Sequence, residues 1–418
     1  MNSRAGSPCV VAGATILAGT DFELLRPGYL VIREGRITEL GLGAAPRFGE
    51  PAVDARNTII APAFINAHTH IGDAFLKDAG FGQGFADVVM PPNGLRFREF
   101  AQATADTIRD GFRVAIEQMV ASGTSTFVDF REGGLPGVEL LKEAVASRPI
   151  RAVTLGRFGE YPAQPESVLA RNVGGLTAAH VTELEAILER ADGFSLPTAN
   201  DLTDEALRAV ATAARAHRRL LAVHVAQVPE DRVISMRRSG VGDVDRILRH
   251  LRPDFVVHLT DATEDELDRL AAGRVPAVVC PRGQAAMGTG LPRFDLMLER
   301  GMLVAIATDN VMLASPDLLR EVEYSSRAIR AVRRDPAFPS ARQLLQMITI
   351  NPARILGQDR EIGSLEPGKS ADLVIFDAES PNLRYGRDPV AALVSRAEAG
   401  DVKAVLHQGR LVHGRIGQ

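Results

Sequence analysis

The sequence is poor in cysteine, has no excess of basic residues and contains no long hydrophobic run. Its two cysteines, Cys9 and Cys280, are too few for a disulfide framework and are not spaced like a CxxC metal site, which favours a reducing cytoplasm. The formal net charge of −4 argues against nucleic acid or an anionic membrane as the main partner. Because no run of about 18 uncharged apolar residues occurs, no membrane span is predicted. A small-molecule or peptide-like substrate is the expected partner.

The pattern of apolar residues changes twice along the chain. Its 418 residues, 45% of them hydrophobic, suffice for one barrel of roughly 250 residues and a smaller module. Residues 8–60 and the segment from Gly363 onward are short strand-like runs separated by Gly and Pro turns. Between them, apolar runs alternate with segments of helical period, which is typical of a parallel sheet. We therefore expect an α/β fold: a (β/α)8 TIM-type barrel over residues 61–363, and a small β-sandwich domain formed by residues 1–60 and 364–418.

Eight short apolar runs are the candidate barrel strands, at residues 59–66, 124–130, 151–155, 193–196, 220–224, 254–258, 275–280 and 303–308. The insertion between the first two contains a Gly- and Pro-rich loop, residues 80–94, that could cover a site. It ends in a helix that has Ile108, Phe112 and Ile116 on one face and Gly123 at its stop position. A final helix is expected at residues 341–356.

Four of the nine histidines end predicted barrel strands. His68 and His70 end the first, where the period-two geometry of a strand puts both imidazoles on one side. His224 closes the fifth strand, His258 closes the sixth, and Asp309 follows the eighth, all at the end where barrel enzymes have their active sites. A single strand-end histidine would usually be a core residue, but several beside an aspartate favour a metal site. Zinc is the expected ion, with iron or manganese as alternatives.

Longer motifs around these residues resemble the amidohydrolase superfamily, in the branch that contains cytosine deaminase, guanine deaminase and the triazine hydrolases. They are PAFINAHTH at residues 62–70, VCPR at 279–282, TDN at 308–310, NPARILG at 351–357 and GSLEPGKSADL at 363–373. The similarity covers nearly the whole chain.

The resemblance implies a ligand set of His68, His70, His224 and Asp309, with His258 contacting the reacting water or the substrate. Two-metal relatives carry a lysine at the end of the fourth strand, where residues 195–197 read Ser-Leu-Pro, so a single metal is implied. A bound divalent ion would activate a water, Asp309 would take the proton of that water, and His258 would orient the nucleophile or stabilise the oxyanion.

One position departs from the deaminase pattern. That branch has a glutamate three residues after the fifth-strand histidine as a proton carrier, but Gln227 stands here and has no proton to exchange near neutral pH. Glu132, just past the second strand, is the nearest replacement by topology, and Glu230 is another. An ion pair between Glu132 and Arg131 is an equal alternative.

Further residues are candidates for substrate binding: Arg131, Arg282, Gln227 and Asp73. Arg131 and Arg282 both follow strand ends and could form a fork around a substrate carboxylate or carbonyl. Each arginine could instead pair with an acid at the barrel rim. Asp73 lies in the segment 72–78, which should line the pocket or form an ordinary solvated loop.

Two reactions fit these residues, and a non-catalytic role is a third hypothesis. The missing glutamate favours hydrolysis of an amide or cyclic amide by activated water. Release of ammonia from an amino-heterocycle or amidine is commoner among the proteins that the chain resembles. A scaffold barrel would have to retain every expected ligand without using it. Relatives often form dimers, so a homodimer is expected as well.

Overall fold

The computed structural model describes residues 9–46, 49–90, 93–160 and 162–416. Its strands are β1 (Cys9–Ala18), β2 (Glu23–Arg33), β3 (Arg36–Leu42), β4 (Ala52–Asp54), β5 (Thr58–Pro62), β6 (Phe64–His70), β7 (Thr124–Arg131), β8 (Arg151–Gly156), β9 (Gly193–Leu196), β10 (Leu220–Val225), β11 (Phe255–His258), β12 (Ala277–Val279), β13 (Val304–Ile306), β14 (Asp309–Asn310), β15 (Leu373–Asp377), β16 (Val402–His407) and β17 (Arg410–Gly414).

The α-helices lie mostly between the strands β6 and β15. They are α1 (Phe85–Val89), α2 (Leu95–Gln102), α3 (Ala105–Ala121), α4 (Gly134–Val145), α5 (Glu166–Leu169), α6 (Ala178–Arg190), α7 (Asp204–Ala216), α8 (Pro229–Ser239), α9 (Asp243–His250), α10 (Glu264–Ala272), α11 (Pro281–Ala286), α12 (Phe294–Glu299), α13 (Leu318–Arg333), α14 (Ala341–Gln346), α15 (Ile350–Ile355) and α16 (Pro389–Arg396). Short 3-10 helices span Ile71–Leu76, Ala199–Asp201 and Ala399–Asp401. Among the described residues, no helix is both long enough and apolar enough to cross a bilayer.

The two ends of the chain pair in one sheet. In the described residues its order is β17-β16-β15-β5-β1-β2-β3, and β4 pairs with β1. The ends join where β15 runs antiparallel to β5, with Leu373 opposite Pro62. The expected association of the β-rich ends is therefore observed, whereas a two-layer sandwich and the domain boundaries stay predictions.

The middle of the chain forms a curled parallel sheet of the TIM-barrel type, with the order β13-β12-β11-β10-β9-β8-β7-β6-β14. The strands at its two ends, β13 and β14, are separated by only Ala307 and Thr308. β14 pairs with the first barrel strand, β6, where Asp309 lies opposite Thr69. Asn66 strengthens this junction, because its Nδ2 donates to Thr308 Oγ1 at 2.8 Å and its Oδ1 accepts from Thr308 N at 3.2 Å.

Two predicted elements are corrected by the structure. The expected first barrel strand, residues 59–66, combines two strands: β5 belongs to the terminal sheet, and the barrel strand starts only at Phe64 and runs to His70. The expected helix at residues 341–356 is divided into α14 and α15. Between these helices, the carbonyl of Met347 accepts from Ile306 N and that of Ile348 accepts from Ile65 N, both at 2.9 Å. The helix is interrupted because the barrel strands use these carbonyls.

The insertion after β6 follows its sequence pattern closely. Thr104 caps the start of helix α3, because its side chain accepts from Thr107 N, and the helix buries Phe112, Ile116 and Met119 on one face. The chain leaves the helix through Gly123, whose φ of +96° favours glycine. This helix packs on the segment that follows His70 and thereby supports the mouth of the barrel.

Candidate active site

Four histidines and one aspartate meet at the carboxyl ends of the barrel strands. His68 Nε2 lies 3.1 Å and His70 Nε2 lies 3.6 Å from Asp309 Oδ1. The ring centroids of His68 and His224 are 4.9 Å apart, and those of His224 and His258 are 5.1 Å apart. The ligand atoms of His68, His70 and Asp309 all lie within 4.8 Å of one another, as do those of His68, His224 and His258. Nitrogen and carboxylate donors at this spacing suit one divalent ion.

Burial prepares these side chains for a cation. It is the main cause that lowers the pKa of His68 to about 3 and the pKa values of His70 and His224 well below the ordinary value. The imidazoles are therefore neutral near pH 7, which is the form that binds a metal. Burial raises the pKa of Asp309, an effect that a bound cation would oppose. Asp309 Oδ2 is buried and has no hydrogen-bond partner among the described residues, so a divalent metal fits the donor set.

Hydrogen bonds behind the histidines orient two of the rings. His224 Nδ1 donates to the carbonyl of Leu196 at 2.9 Å. His70 Nδ1 lies 2.8 Å from Glu132 Oε1, 3.1 Å from the carbonyl of Phe130 and 3.1 Å from Arg157 Nη2, and the two acceptors favour a proton on Nδ1. Since both Nδ1 atoms are engaged in this way, Nε2 is the nitrogen available to a metal in both residues.

In His258, unlike in His70 and His224, Nδ1 faces a hydrogen-bond donor. Its Nδ1 lies 3.0 Å from the amide Nε2 of Gln284, whose Oε1 is 2.7 Å from the hydroxyl of Thr289. Because the amide nitrogen can only donate, Nδ1 of His258 must accept and the proton resides on Nε2. His258 is thus a hydrogen-bond donor, in agreement with a role beside the metal.

Glu132, the predicted proton carrier, lies behind His70 within a group of arginines. Arg157 Nη2 donates to Glu132 Oε1 at 2.6 Å, and Arg96 and Arg131 also contact the carboxylate. Burial by itself would raise the pKa of Glu132, but the three guanidinium groups lower it well below the ordinary value. Glu132 is not among the described residues that line the cavity, and this geometry holds it as a partner of His70.

Of the four remaining candidates in this part of the site, only Gln227 is among the described lining residues of the cavity. Gln227 lines the cavity, whereas Glu230 is exposed on helix α8. Arg131 and Arg282 do not form the expected fork, since neither is among the described lining residues. Both arginines instead satisfy buried acids: Arg131 Nη1 lies 3.3 Å from Asp129 Oδ1, and the Arg282 backbone N–H donates to Glu321 at 2.8 Å.

Asp73 joins the chain segments that follow the first and last barrel strands. Its carboxylate accepts from Asn310 Nδ2 at 2.7 Å and from Met312 N at 3.1 Å. It is fully buried and is not a described lining residue of the cavity. Asp73 therefore fixes the backbone beside Asp309.

A cavity of about 240 Å³ opens beside the histidines. Phe85, Val89 and Met90 of the loop 80–94 are among its lining residues, and residues 91 and 92 of that loop lie outside the described residues. Its lining also contains charged residues that the sequence reasoning missed: Arg96, Arg157, Glu166, Asp201, Asp231 and Arg238. Arg157 directly follows β8, so the strand-end criterion that found the histidines would have found it. Arg96 lies on α2 in the insertion, where no comparable sequence signal exists.

Comparisons with known proteins agree with this geometry. The model of the amidohydrolase family matches residues 59–412. The chain is 32% identical to an inferred aminohydrolase of Methanothermobacter thermautotrophicus over 96% of this chain and 98% of that protein. It is 28% identical to the 5-methylthioadenosine/S-adenosylhomocysteine deaminase of Syntrophomonas wolfei, over 93% and 89%. A zinc-bound adenosine deaminase of Xanthomonas campestris has the same fold, with a TM-score of 0.83, 20% identity and coverage of 97% and 92%.

Proposed function

This chain belongs to the amidohydrolase family and hydrolyses carbon–nitrogen bonds, and from this premise we propose that it is an aminohydrolase of a small amino-heterocycle or amidine. One observation carries the proposal: imidazoles and a carboxylate from separate barrel strands converge within metal-binding distance beside a cavity of small-molecule size. The deaminase relatives favour release of ammonia.

The proposed metal ligands are His68, His70, His224 and Asp309, and the proposed ion is zinc. The zinc in the similar adenosine deaminase structure supports this choice. When bound, such an ion supplies a water whose pKa is lowered to about 7. His258 is left out of the ligand set because its Nε2 carries a proton.

In this proposal two side chains act on the reacting atoms. Asp309 accepts the proton of the attacking water through Oδ2, which has no other hydrogen-bond partner in the described chain. In deamination, His258 donates from Nε2 to the attacking oxygen. Asp309 returns the proton that it accepted to the departing amino group, which leaves as ammonia, and the second proton of the water goes to the neighbouring ring or amidine nitrogen. Glu132 does not move protons here, because it keeps His70 oriented through Nδ1 and is neutralised by arginines.

Gln227 favours hydrolysis of an amide or cyclic amide as the second candidate. It lines the cavity but cannot exchange a proton near neutral pH, so the ring nitrogen that gains charge in deamination needs another proton donor. Amide hydrolysis places that charge on an oxygen, which His258 can stabilise as a hydrogen-bond donor. A small-molecule substrate is common to both candidates. A cytoplasmic location, a homodimer and the division at residues 60 and 363 stay predictions.

An assay with two sets of compounds separates the candidates. Zinc-loaded protein would be incubated with amino-purines and amino-pyrimidines, including adenosine and 5′-methylthioadenosine, and with dihydrouracil and hydantoin as cyclic amides. We expect ammonia release from at least one amino compound, and its loss in Asp309→Asn. Ring opening of the cyclic amides without ammonia release would favour the second candidate. If neither reaction is observed, both proposed functions are contradicted.

A further inference from the structure

One carboxylate oxygen at the cavity lacks a hydrogen-bond partner among the described residues. Asp201 lies in the short 3-10 helix Ala199–Asp201 that follows β9, and it is one of the lining residues. Its Oδ2 atom is buried and accepts no hydrogen bond from the described residues. Leaving a buried carboxylate oxygen without a donor is costly, so a ligand that supplies a donor would be bound preferentially.

The other charged groups of the cavity are already compensated. Arg96 and Arg157 pair with Glu132, and Arg238 pairs with Glu166. Asp231 Oδ2 accepts from the backbone N–H groups of Gln227 and Val228 at 3.0 and 3.3 Å. Apart from Asp309 in the metal centre, Asp201 is the described lining acid that keeps an unpartnered buried oxygen.

We propose that Asp201 is a specificity residue that receives an N–H-bearing group of the substrate, an amine or an amidine. This inference rests on the proposed function, because it names a part of the substrate of that same site. The apolar lining residues Phe85, Val89 and Phe97 provide surface for a flat ring that carries such a group.

The charges around Asp201 support this assignment. The pKa of Asp201 is raised to about 7, mainly by burial and also by nearby Asp231, while Arg238 and Arg157 oppose the rise. An approaching amidinium would favour the ionised carboxylate and form a charge-assisted hydrogen bond with it. The ionised forms of Asp201 and Asp231 would repel an anionic group at this position.

Calorimetric titration with benzamidine and benzamide tests the proposal without turnover. The two probes share a ring, but only benzamidine carries a cationic amidine. We expect zinc-loaded wild-type protein to prefer benzamidine, and Asp201→Asn to bind it about tenfold more weakly with unchanged benzamide binding. Asp87→Asn is the matched control, since Asp87 is exposed on the covering helix α1 and is not a described lining residue.

Three results would overturn the proposal: equal benzamidine affinity in wild type and Asp201→Asn, an equal loss in Asp87→Asn, or no preference for benzamidine in the wild type. Circular dichroism and zinc content establish that each variant is folded and loaded, and Asp201→Ser replaces Asp201→Asn if that variant does not fold. The ammonia assay is independent of this titration. A failed assay with intact benzamidine selectivity would therefore overturn the aminohydrolase reaction and leave the Asp201 contact standing.

Discussion

Gln284 determines which nitrogen of His258 carries the proton. Its amide donates to Nδ1 at 3.0 Å, while its own carbonyl oxygen lies beside the Thr289 hydroxyl. Without that donor, the neutral imidazole could place its proton on either nitrogen. Gln284 is therefore a positioning residue, since it acts on the reaction only through His258.

Gln284→Met should lower kcat by about tenfold and leave KM within about threefold, because one general acid–base or oxyanion contact is impaired while the cavity is retained. Steady-state kinetics across pH on an identified substrate checks this. Gln118→Met, at an exposed position on α3, is the matched control and should change neither constant. A Gln284→Met enzyme with wild-type kcat at every pH would show that the tautomer of His258 has no role.

The clustering of the proposed ligand residues was predictable from the sequence, but their conformations were not. His68, His70, His224 and Asp309 were found because parallel strands end at a common edge. His258 and Asp309 adopt φ values of +82° and +63°, which non-glycine residues adopt rarely and which no residue pattern indicated. Gln284, the partner of His258, lies on helix α11, and Arg96, a partner of Glu132, lies on α2 in the insertion. Only the folded structure shows that they reach the site.

Among the elements, the start of helix α4 is packed tightly against the end of β7. A Cβ atom at Gly137 would lie 1.8 Å from the carbonyl oxygen of Glu132, and this oxygen belongs to backbone that cannot move freely. Any shift of Glu132 would reach His70, because the Glu132 carboxylate is one of the partners of His70 Nδ1.

Gly137→Ala should therefore weaken zinc binding by about tenfold or more, as loss of a partner behind a metal ligand usually does. Competition with a zinc-sensitive dye measures this change. In a helix, alanine is otherwise favoured over glycine by about 1 kcal/mol, so a loss identifies the contact with Glu132. Gly400→Ala, with no atom within 4 Å of the added Cβ, should bind zinc normally. Equal zinc affinity in the two variants would contradict this account.

The sequence predicted most strands correctly in position, because buried parallel strands are short continuous apolar runs. It failed where such a run passes from one sheet into another, as at residues 58–66, since hydrophobicity does not indicate the change of sheet. It also failed at residues 347–349, where backbone N–H groups of distant strands donate to the carbonyls that a continuous helix would use. Both errors concern contacts between segments that are far apart in the chain.

For the whole molecule, buried acids make the free energy of unfolding depend on pH. Burial raises the pKa of Glu321 to about 8, although Arg282 opposes this rise. The folded protein then binds the Glu321 proton more tightly than the unfolded chain, whose pKa is near 4.5. The contribution of Glu321 to stability therefore falls as pH rises between these two values, by up to about 1.4 kcal/mol per pH unit.

Glu321→Gln should remove this dependence. The free energy of unfolding of the wild type minus that of the variant should decrease from pH 5 to pH 8 and then level off, as measured by urea unfolding at several pH values. Glu323→Gln, two residues along the same helix, serves as the control for removing a carboxylate from α13. A constant difference for Glu321→Gln would mean that this carboxyl is ionised throughout.

The central claim is that one divalent ion is held at the ends of the barrel strands β6 and β10, beside the first residue of β14. Elemental analysis of purified protein after zinc loading and dialysis tests it most directly. We predict about one zinc ion per chain in the wild type and in Gly400→Ala, and well under half an ion in folded His68→Asn and His224→Asn. An equal metal content in those two histidine variants, or no retained metal in the wild type, would contradict the account.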